Sequence, residues 1–121
     1  MATFRYLVKD VEASIEFYTK HLGFEVVKKM GSAFAIVEKD DLSLWLSGPQ
    51  TSAARPIPDG SIPQPGGWNR FVIEVADIES LVSAMKNAGI SFRNEIISGP
   101  GGKQILAEDP SGNPIEIFQA A

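Results

Sequence analysis

Two segments of this chain repeat one another, and this repetition constrains the fold more than any other feature. The segments are VKDVEASIEFYTKHLGF, residues 8–24, and VADIESLVSAMKNAGI, residues 75–90. Both contain a valine, an aspartate, a β-branched residue, a glutamate and a glycine followed by an apolar residue, in the same order. A repeat with a period near half the chain predicts two copies of one supersecondary unit.

Each repeat predicts one amphipathic helix. In the first, apolar residues recur every three or four positions between Asp10, a good N-cap, and Gly23, a good stop. In the second, the same pattern runs between Asp77 and Gly89. The predicted apolar stripes are Val11, Ile15, Tyr18 and Leu22 in the first helix and Ile78, Leu81, Val82 and Met85 in the second.

Short runs with strand character surround both predicted helices. TFRYLV and RFVIEV precede them, and three further runs follow each one: FEVVKKM, SAFAIVEK and LSLWLS, then ISFRNEII, KQILAE and PIEIFQ. The order predicts an α+β fold of two βαβββ modules in a single domain, residues 1–121. The first module covers residues 1–48, a proline-rich connecting loop covers 49–68, and the second module covers 69–121. A connection of this length is typical of either a flap over a site or a linker between modules.

The alternation of side chains along the strands predicts one apolar and one mixed face for each sheet. The mixed face is either open to solvent, as in many antiparallel sheets, or the lining of a concave ligand site. Trp45, a large aromatic residue with Ser43 and Ser47 on the same face, favours the concave site. The predicted lining residues on this face are Thr3, Arg5, Trp45, Arg70, Glu74 and Glu116.

The bulk composition excludes several classes of function. The net charge of −4 argues against binding to nucleic acid, which needs clustered lysine and arginine against phosphate. The chain has no cysteine, so a disulfide, a thiolate nucleophile and a zinc-thiolate site are all excluded. No apolar run is long enough for a membrane span and no signal peptide is recognisable at the start, so we expect a cytoplasmic protein without membrane contacts.

VKDVEASIEFYTKHLGFEVV together with EDPSGNPIEIFQ closely resembles the vicinal oxygen chelate superfamily, which includes glyoxalase I, bleomycin resistance proteins and extradiol dioxygenases. The resemblance extends over nearly the whole chain. It implies two βαβββ modules whose curved mixed sheets form a cup, with the helices on the outer face. It also implies a homodimer, because many members complete their sites across a dimer. Function varies widely within this fold.

The resemblance also implies where a metal site would lie. Metal-binding members have histidine at the positions of Thr3 and Arg70, and glutamate or an equivalent ligand at the positions of Trp45 and Glu116. Only Glu116 is retained in this chain. Indole and guanidinium cannot serve as ligands, so we expect neither a metal nor any other cofactor. Arg70 is expected to pair with Glu116, either as a structural plug or as an anchor for a polar ligand group.

Three functions are compatible with these residues. The first is a metal-free protein, similar to bleomycin and antibiotic resistance proteins, that binds an aromatic or amphipathic small molecule near Trp45, Arg70 and Glu116. The second is a metal-independent lyase or isomerase, with Glu116 or Glu74 as base and Arg70 as anion stabiliser. The third is a glyoxalase- or dioxygenase-type metalloenzyme, which the ligand count disfavours. Whether the chain catalyses a reaction stays open at this stage.

A few residues outside the predicted mixed face complete the site predicted from the sequence. Trp68 and Asn69 border Arg70 at the end of the long loop and are predicted ligand contacts. Arg93 and Asn94 are weaker candidates for the rim of the cup, with ordinary surface residues as the alternative. His21 is the single histidine, and we interpret it as a solvated helix residue because a ligand or base would need partners there.

Overall fold

The computed structural model describes all residues, 1–121, and contains two α-helices, one short 3-10 helix (Ser52–Ala54) and eight strands. The first half of the chain comprises β1 (Ala2–Leu7), α1 (Val11–Leu22), β2 (Glu25–Met30), β3 (Phe34–Lys39) and β4 (Leu42–Ser47). The second half comprises β5 (Val72–Glu74), α2 (Ile78–Asn87), β6 (Ile97–Gly99), β7 (Gly102–Glu108) and β8 (Pro114–Ala120). The predicted α+β class and the βαβββ order of each half are confirmed.

Both helices begin directly after their predicted capping aspartates, α1 ends directly before Gly23, and α2 ends at Asn87, two residues before the predicted stop Gly89. Asp10 Oδ1 accepts a hydrogen bond from Ala13 N at 3.1 Å, and Asp77 Oδ1 accepts one from Ser80 N at 3.1 Å. At the end of α1, Gly23 adopts a left-handed φ of 76°, which residues with a Cβ adopt only with strain. The buried apolar residues lie on one side of each helix: Val11, Phe17, Tyr18 and Leu22 in α1, and Ile78, Val82 and Met85 in α2.

The strands form two four-stranded mixed sheets with the same topology. The order is β1-β4-β3-β2 in the first sheet and β5-β8-β7-β6 in the second. In each sheet the first strand of the half pairs in parallel with the last, and the other neighbours are antiparallel. A parallel pair requires a crossover, and here the crossover includes the helix.

One face of each sheet is apolar, as the parity of the strands predicts. In the first sheet Leu44 and Leu46 are fully buried, and α1 packs against β2, β3 and β4. In the second sheet Ile115 and Ile117 are fully buried, and α2 packs against β8. Removal of these side chains from water is the main favourable contribution to folding of each half.

The chain groups into two compact units. Unit 1 contains residues 1–66 together with 110–113, and unit 2 contains residues 67–109 together with 114–121. Within unit 1, the buried side chain of Asn113 joins two distant segments: Nδ2 donates to Leu7 O at 2.8 Å, and Oδ1 accepts from Gly66 N at 2.7 Å. The turn at 110–113 is therefore tied both to the end of β1 and to the end of the connecting loop.

The run ISFRNEII is less regular than its sequence predicts. Of this run, residues 90–97, only Ile97 belongs to a strand, as the first residue of β6, and Phe92 forms an isolated bridge to Ala107. At Asn94 the side-chain oxygen, instead of a main-chain carbonyl, accepts from Leu106 N at 2.9 Å. This side-chain bond replaces one step of the sheet ladder and interrupts the strand.

Neither helix has both the length and the apolar character needed to cross a lipid bilayer.

Candidate functional site

Unit 1 places an arginine over a tryptophan on the mixed face of its sheet. Arg5 and Trp45 are register partners in the parallel pair β1 and β4, and Arg5 Cζ lies 5.0 Å from the indole centroid. Arg5 Nη1 also donates to the buried Ser47 Oγ at 3.1 Å. The ring of Phe34 meets the indole edge to face, at 6.0 Å and 80°. The half-buried Trp45 is therefore held on two sides by a cation and by an aromatic edge.

A small cavity of about 190 Å³ lies in unit 1 next to this group. The ends of β1 and β4 line it on one side, and the connecting loop lines it on the other. Its residues include Leu7, Ser47, Ile62 and Pro65. Ser47 lines the cavity, and its hydroxyl also accepts the hydrogen bond from Arg5. Ser47 therefore connects the cavity to the Arg5–Trp45 pair. Thr3, the remaining predicted lining residue of this unit, is exposed and opposite Ser43.

Unit 2 brings Arg70 and Glu116 together, as the resemblance implies. Arg70 Nε and Nη2 both donate to Glu116 Oε1, at 3.1 and 2.8 Å. The pair is largely withdrawn from water, because the side chains of Arg70 and Glu116 are 29% and 13% exposed. Both donors converge on one oxygen, so Glu116 Oε2 has no hydrogen-bond partner within the chain. This oxygen is an acceptor that remains available beside a fixed positive charge.

Three more predicted ligand contacts lie in unit 2. Trp68 is 68% exposed, yet its carbonyl accepts from Arg70 Nη1 at 3.2 Å, so the residue is attached to the ion pair through its backbone. Asn69 is exposed and its side chain makes no hydrogen bond. Glu74 is exposed opposite Phe118, and its carboxylate makes no ion pair. Of the five residues predicted as ligand contacts in this unit, Trp68, Arg70 and Glu116 are therefore joined to one another, whereas Asn69 and Glu74 are not.

A second ion pair next to Trp68 escaped the sequence interpretation. Arg93 Nε donates to Glu108 Oε2 at 2.9 Å, and Arg93 Cζ lies 4.6 Å from the Trp68 ring centroid. Arg93 is thus part of the cluster, whereas Asn94 has the structural role in the β7 ladder described above. A signal for Glu108 was present in the sequence, since Gln104 and Glu108 have the strand parity opposite to that of the buried Ile105 and Ala107.

The chain enters unit 2 through two glycines in the left-handed region. Gly66 has a φ of 108° and Gly67 a φ of 87°. Residues with a Cβ rarely adopt these values, so the pair of glycines permits the turn that delivers Trp68 to the two arginines.

The single histidine and the carboxylates are dispersed over the structure. No group of three or more histidine, cysteine, aspartate or glutamate side chains has the geometry to hold a metal ion. His21 is half-buried on α1, where its ring lies 5.9 Å from that of Phe17. It is therefore less solvated than the sequence predicts, because the neighbouring aromatic ring covers part of it.

The comparisons with known proteins agree on the fold. A crystal structure of lactoylglutathione lyase from Agrobacterium tumefaciens is 21% identical, with 98% of this chain and 92% of that chain covered and a TM-score of 0.75. TnmS3, an antibiotic-binding protein from a Streptomyces species, is 22% identical, with 98% and 93% covered and a TM-score of 0.74. A bleomycin-binding protein from Streptomyces verticillus, solved with copper(II)-bleomycin, is 21% identical, with 99% and 95% covered and a TM-score of 0.65.

No curated protein sequence is significantly similar to this one. At these identities the likeness to solved structures shows the fold alone, and it includes both an enzyme and binding proteins. A family profile gives more specific information. The profile of the Glyoxalase/Bleomycin resistance protein/Dioxygenase superfamily matches residues 1–117. The paired βαβββ halves and this match over nearly the full length together show that the chain belongs to that superfamily.

Proposed function

We propose that this chain is a metal-free binding protein for an aromatic or amphipathic small molecule. The observation that carries the proposal is the pair of hydrogen bonds from Arg70 to Glu116 Oε1. A guanidinium held at 2.8 Å already supplies the positive charge that a divalent ion would supply to this carboxylate. Ligand recognition by shape, stacking and hydrogen bonds then replaces recognition through a metal.

The residues at the positions of the family's metal ligands do not fit a catalytic divalent ion. Thr3, Trp45, Arg70 and Glu116 offer one carboxylate and one neutral hydroxyl, and neither indole nor guanidinium donates a lone pair to a metal. A catalytic zinc site needs about three protein ligands of nitrogen, sulfur or carboxylate type. These four residues therefore supply too few ligands for such an ion.

Each unit offers an apolar surface with a few polar anchors, which is the usual make-up of a small-molecule site. In unit 1 these are the indole of Trp45 and the guanidinium of Arg5. In unit 2 they are the exposed indole of Trp68 and the open Oε2 of Glu116. The proposed ligand contacts are Thr3, Arg5, Trp45, Trp68, Asn69, Arg70, Glu74 and Glu116.

A metal-independent lyase or isomerase is the second candidate, and the exposure of Glu74 favours it. This carboxylate makes no ion pair, so it is available as a general base without first breaking an internal contact. Glu116 is the less suitable base, because its Oε1 already accepts two hydrogen bonds from Arg70. In this mechanism Arg70 stabilises the anion that forms when the base removes a proton.

Native mass spectrometry against a library of metabolites and antibiotics tests the proposal most directly. We expect stoichiometric binding of a small molecule by protein that contains no zinc, iron or nickel after purification without chelators. Glu116→Gln should weaken binding, whereas the matched control Glu95→Gln, which breaks only the exposed ion pair with Lys86, should not. Stoichiometric metal in the purified protein would overturn the metal-free assignment.

The two candidate functions separate on product formation. If the captured ligand is recovered unchanged after long incubation with wild type and with Glu74→Gln, the enzyme alternative is rejected. If wild type converts the ligand and Glu74→Gln or Glu116→Gln does not, the binding-protein proposal is rejected. We also propose a homodimer, and sedimentation of a monomer at micromolar concentration would contradict it.

A further inference from the structure

Two arginines hold one dipeptide at the start of unit 2. Arg93 Nη1 donates to Gly67 O at 2.6 Å, and Arg70 Nη1 donates to Trp68 O at 3.2 Å. Two successive carbonyl groups are thus each bound by a guanidinium. Because hydrogen bonds from charged donors are stronger than neutral ones, the backbone that carries the indole is restrained on both sides.

The indole of Trp68 has one covered face and one open face. The guanidinium of Arg93 lies 4.6 Å from the ring centroid, at a distance typical of cation–π stacking. The side chain of Arg93 is only 16% exposed, whereas Trp68 is 68% exposed. A tryptophan that stacks on a buried cation and still exposes most of its surface offers its second face to a ligand.

Arg93 is itself fixed in place. Its backbone N–H donates to Leu106 O at 2.9 Å, and its Nε donates to Glu108 Oε2 at 2.9 Å, at the end of β7. One planar guanidinium therefore binds a carboxylate, binds a carbonyl and stacks on an indole. Lysine has no planar fork, so it cannot satisfy all three contacts at once.

We propose that Arg93 is a positioning residue that preorganises Trp68 as a stacking surface for a planar aromatic ligand, with Glu108 orienting Arg93. The inference rests on the proposed small-molecule function and adds the ligand class and the device that recognises it. A side chain that is ordered before binding does not have to lose its rotamer freedom on binding. This effect corresponds to about a two- to tenfold gain in affinity for one side chain.

The test measures the motion of the indole and the binding of a ligand separately. In a Trp45→Phe background Trp68 is the single tryptophan, so time-resolved fluorescence anisotropy reports its mobility. In the wild-type background, titration with proflavine, a planar tricyclic dye, reports stacking. The variants are Arg93→Met, Arg93→Lys and Trp68→Ala. The matched control is Lys86→Met, which removes another ion pair and cation–π contact of unit 2, to Glu95 and Phe92.

We expect Arg93→Met to increase the nanosecond motion of the indole and to weaken proflavine binding about two- to tenfold. Arg93→Lys should do both to a smaller extent, and it serves as the second variant if Arg93→Met fails to fold. Trp68→Ala should weaken binding about tenfold, and Lys86→Met should change neither measurement.

Each contrary result has a distinct meaning. Unchanged indole motion in Arg93→Met and Arg93→Lys would overturn the positioning role, whatever the affinities. Full proflavine binding by Trp68→Ala would overturn the stacking surface. If wild type binds library compounds but no planar aromatic one, the ligand class is wrong while the proposed function stands. If wild type binds nothing at all, the proposed function fails and this inference fails with it.

Discussion

Removing one partner of the Arg70–Glu116 pair should destabilise the protein more than removing both. The side chains are 29% and 13% exposed, so the pair lies between an exposed ion pair, which contributes about 0–1 kcal/mol, and a fully buried one. Removing one partner of a fully buried pair costs about 3–5 kcal/mol, because the other charge stays buried without a counter-charge. For this intermediate exposure we expect Arg70→Met and Glu116→Leu each to cost about 2 kcal/mol.

The double variant Arg70→Met/Glu116→Leu should cost only about 0–1 kcal/mol, since it leaves no unpaired charge and adds apolar side chains. The expected coupling in the double-mutant cycle is therefore several times the usual deviation from additivity of about 0.3–0.5 kcal/mol. Urea unfolding followed by far-UV circular dichroism gives the free energies of unfolding, and an unchanged slope shows that the unfolded states remain comparable.

Two outcomes of this cycle decide different questions. If each single variant loses less than about 0.5 kcal/mol of unfolding free energy, and the two losses add up to that of the double variant, the two side chains are not coupled. This result would refute the ion pair between Glu116 and Arg70 as a stabilising contact. If the double variant is stable and still binds the ligand of wild type with full affinity, the pair is a structural plug. If the double variant is stable but no longer binds that ligand, the pair is a ligand anchor. The double variant therefore distinguishes the structural plug from the ligand anchor.

Three further predictions concern a helix cap, a buried amide side chain and the binding of zinc. The hydrogen bonds from Ser80 hold the pKa of Asp77 below its usual value of 3.8. The stability that this cap contributes is therefore fully present above pH 3.8 and is lost as the pH falls through the lower pKa of the folded state. Asp77→Asn should flatten the pH dependence of the free energy of unfolding in this acidic range. Asn113→Ala removes the partner of the part-buried Leu7 carbonyl and of the part-buried Gly66 amide, and should cost about 2 kcal/mol. It should also accelerate hydrogen exchange at the Gly66 amide, and normal protection there would contradict the bond. Micromolar zinc should leave the melting temperature unchanged if the protein is metal-free as proposed. A rise in the melting temperature would contradict the proposal, because it would show that zinc binds the native state.

The sequence alone determines the helices and the apolar faces of the sheets. Asp10 with Gly23 sets the ends of the first helix through contacts within a few residues. Strand parity places Ile115 and Ile117 in the core and Glu116 on the other face. These features are local or periodic, so they can be recognised along the chain, and the duplication then predicts the same module twice.

The cluster around Trp68 was decided only by the tertiary structure. Arg93 meets Glu108, which is 15 residues away, and the carbonyl of Gly67, which is 26 residues away. Local periodicity carries no information about such pairs, because they depend on how β7 and the two glycines of the loop place the backbone. Asn94 shows the same limit, since its side chain enters the ladder only where the folded chain leaves an amide of β7 to be satisfied.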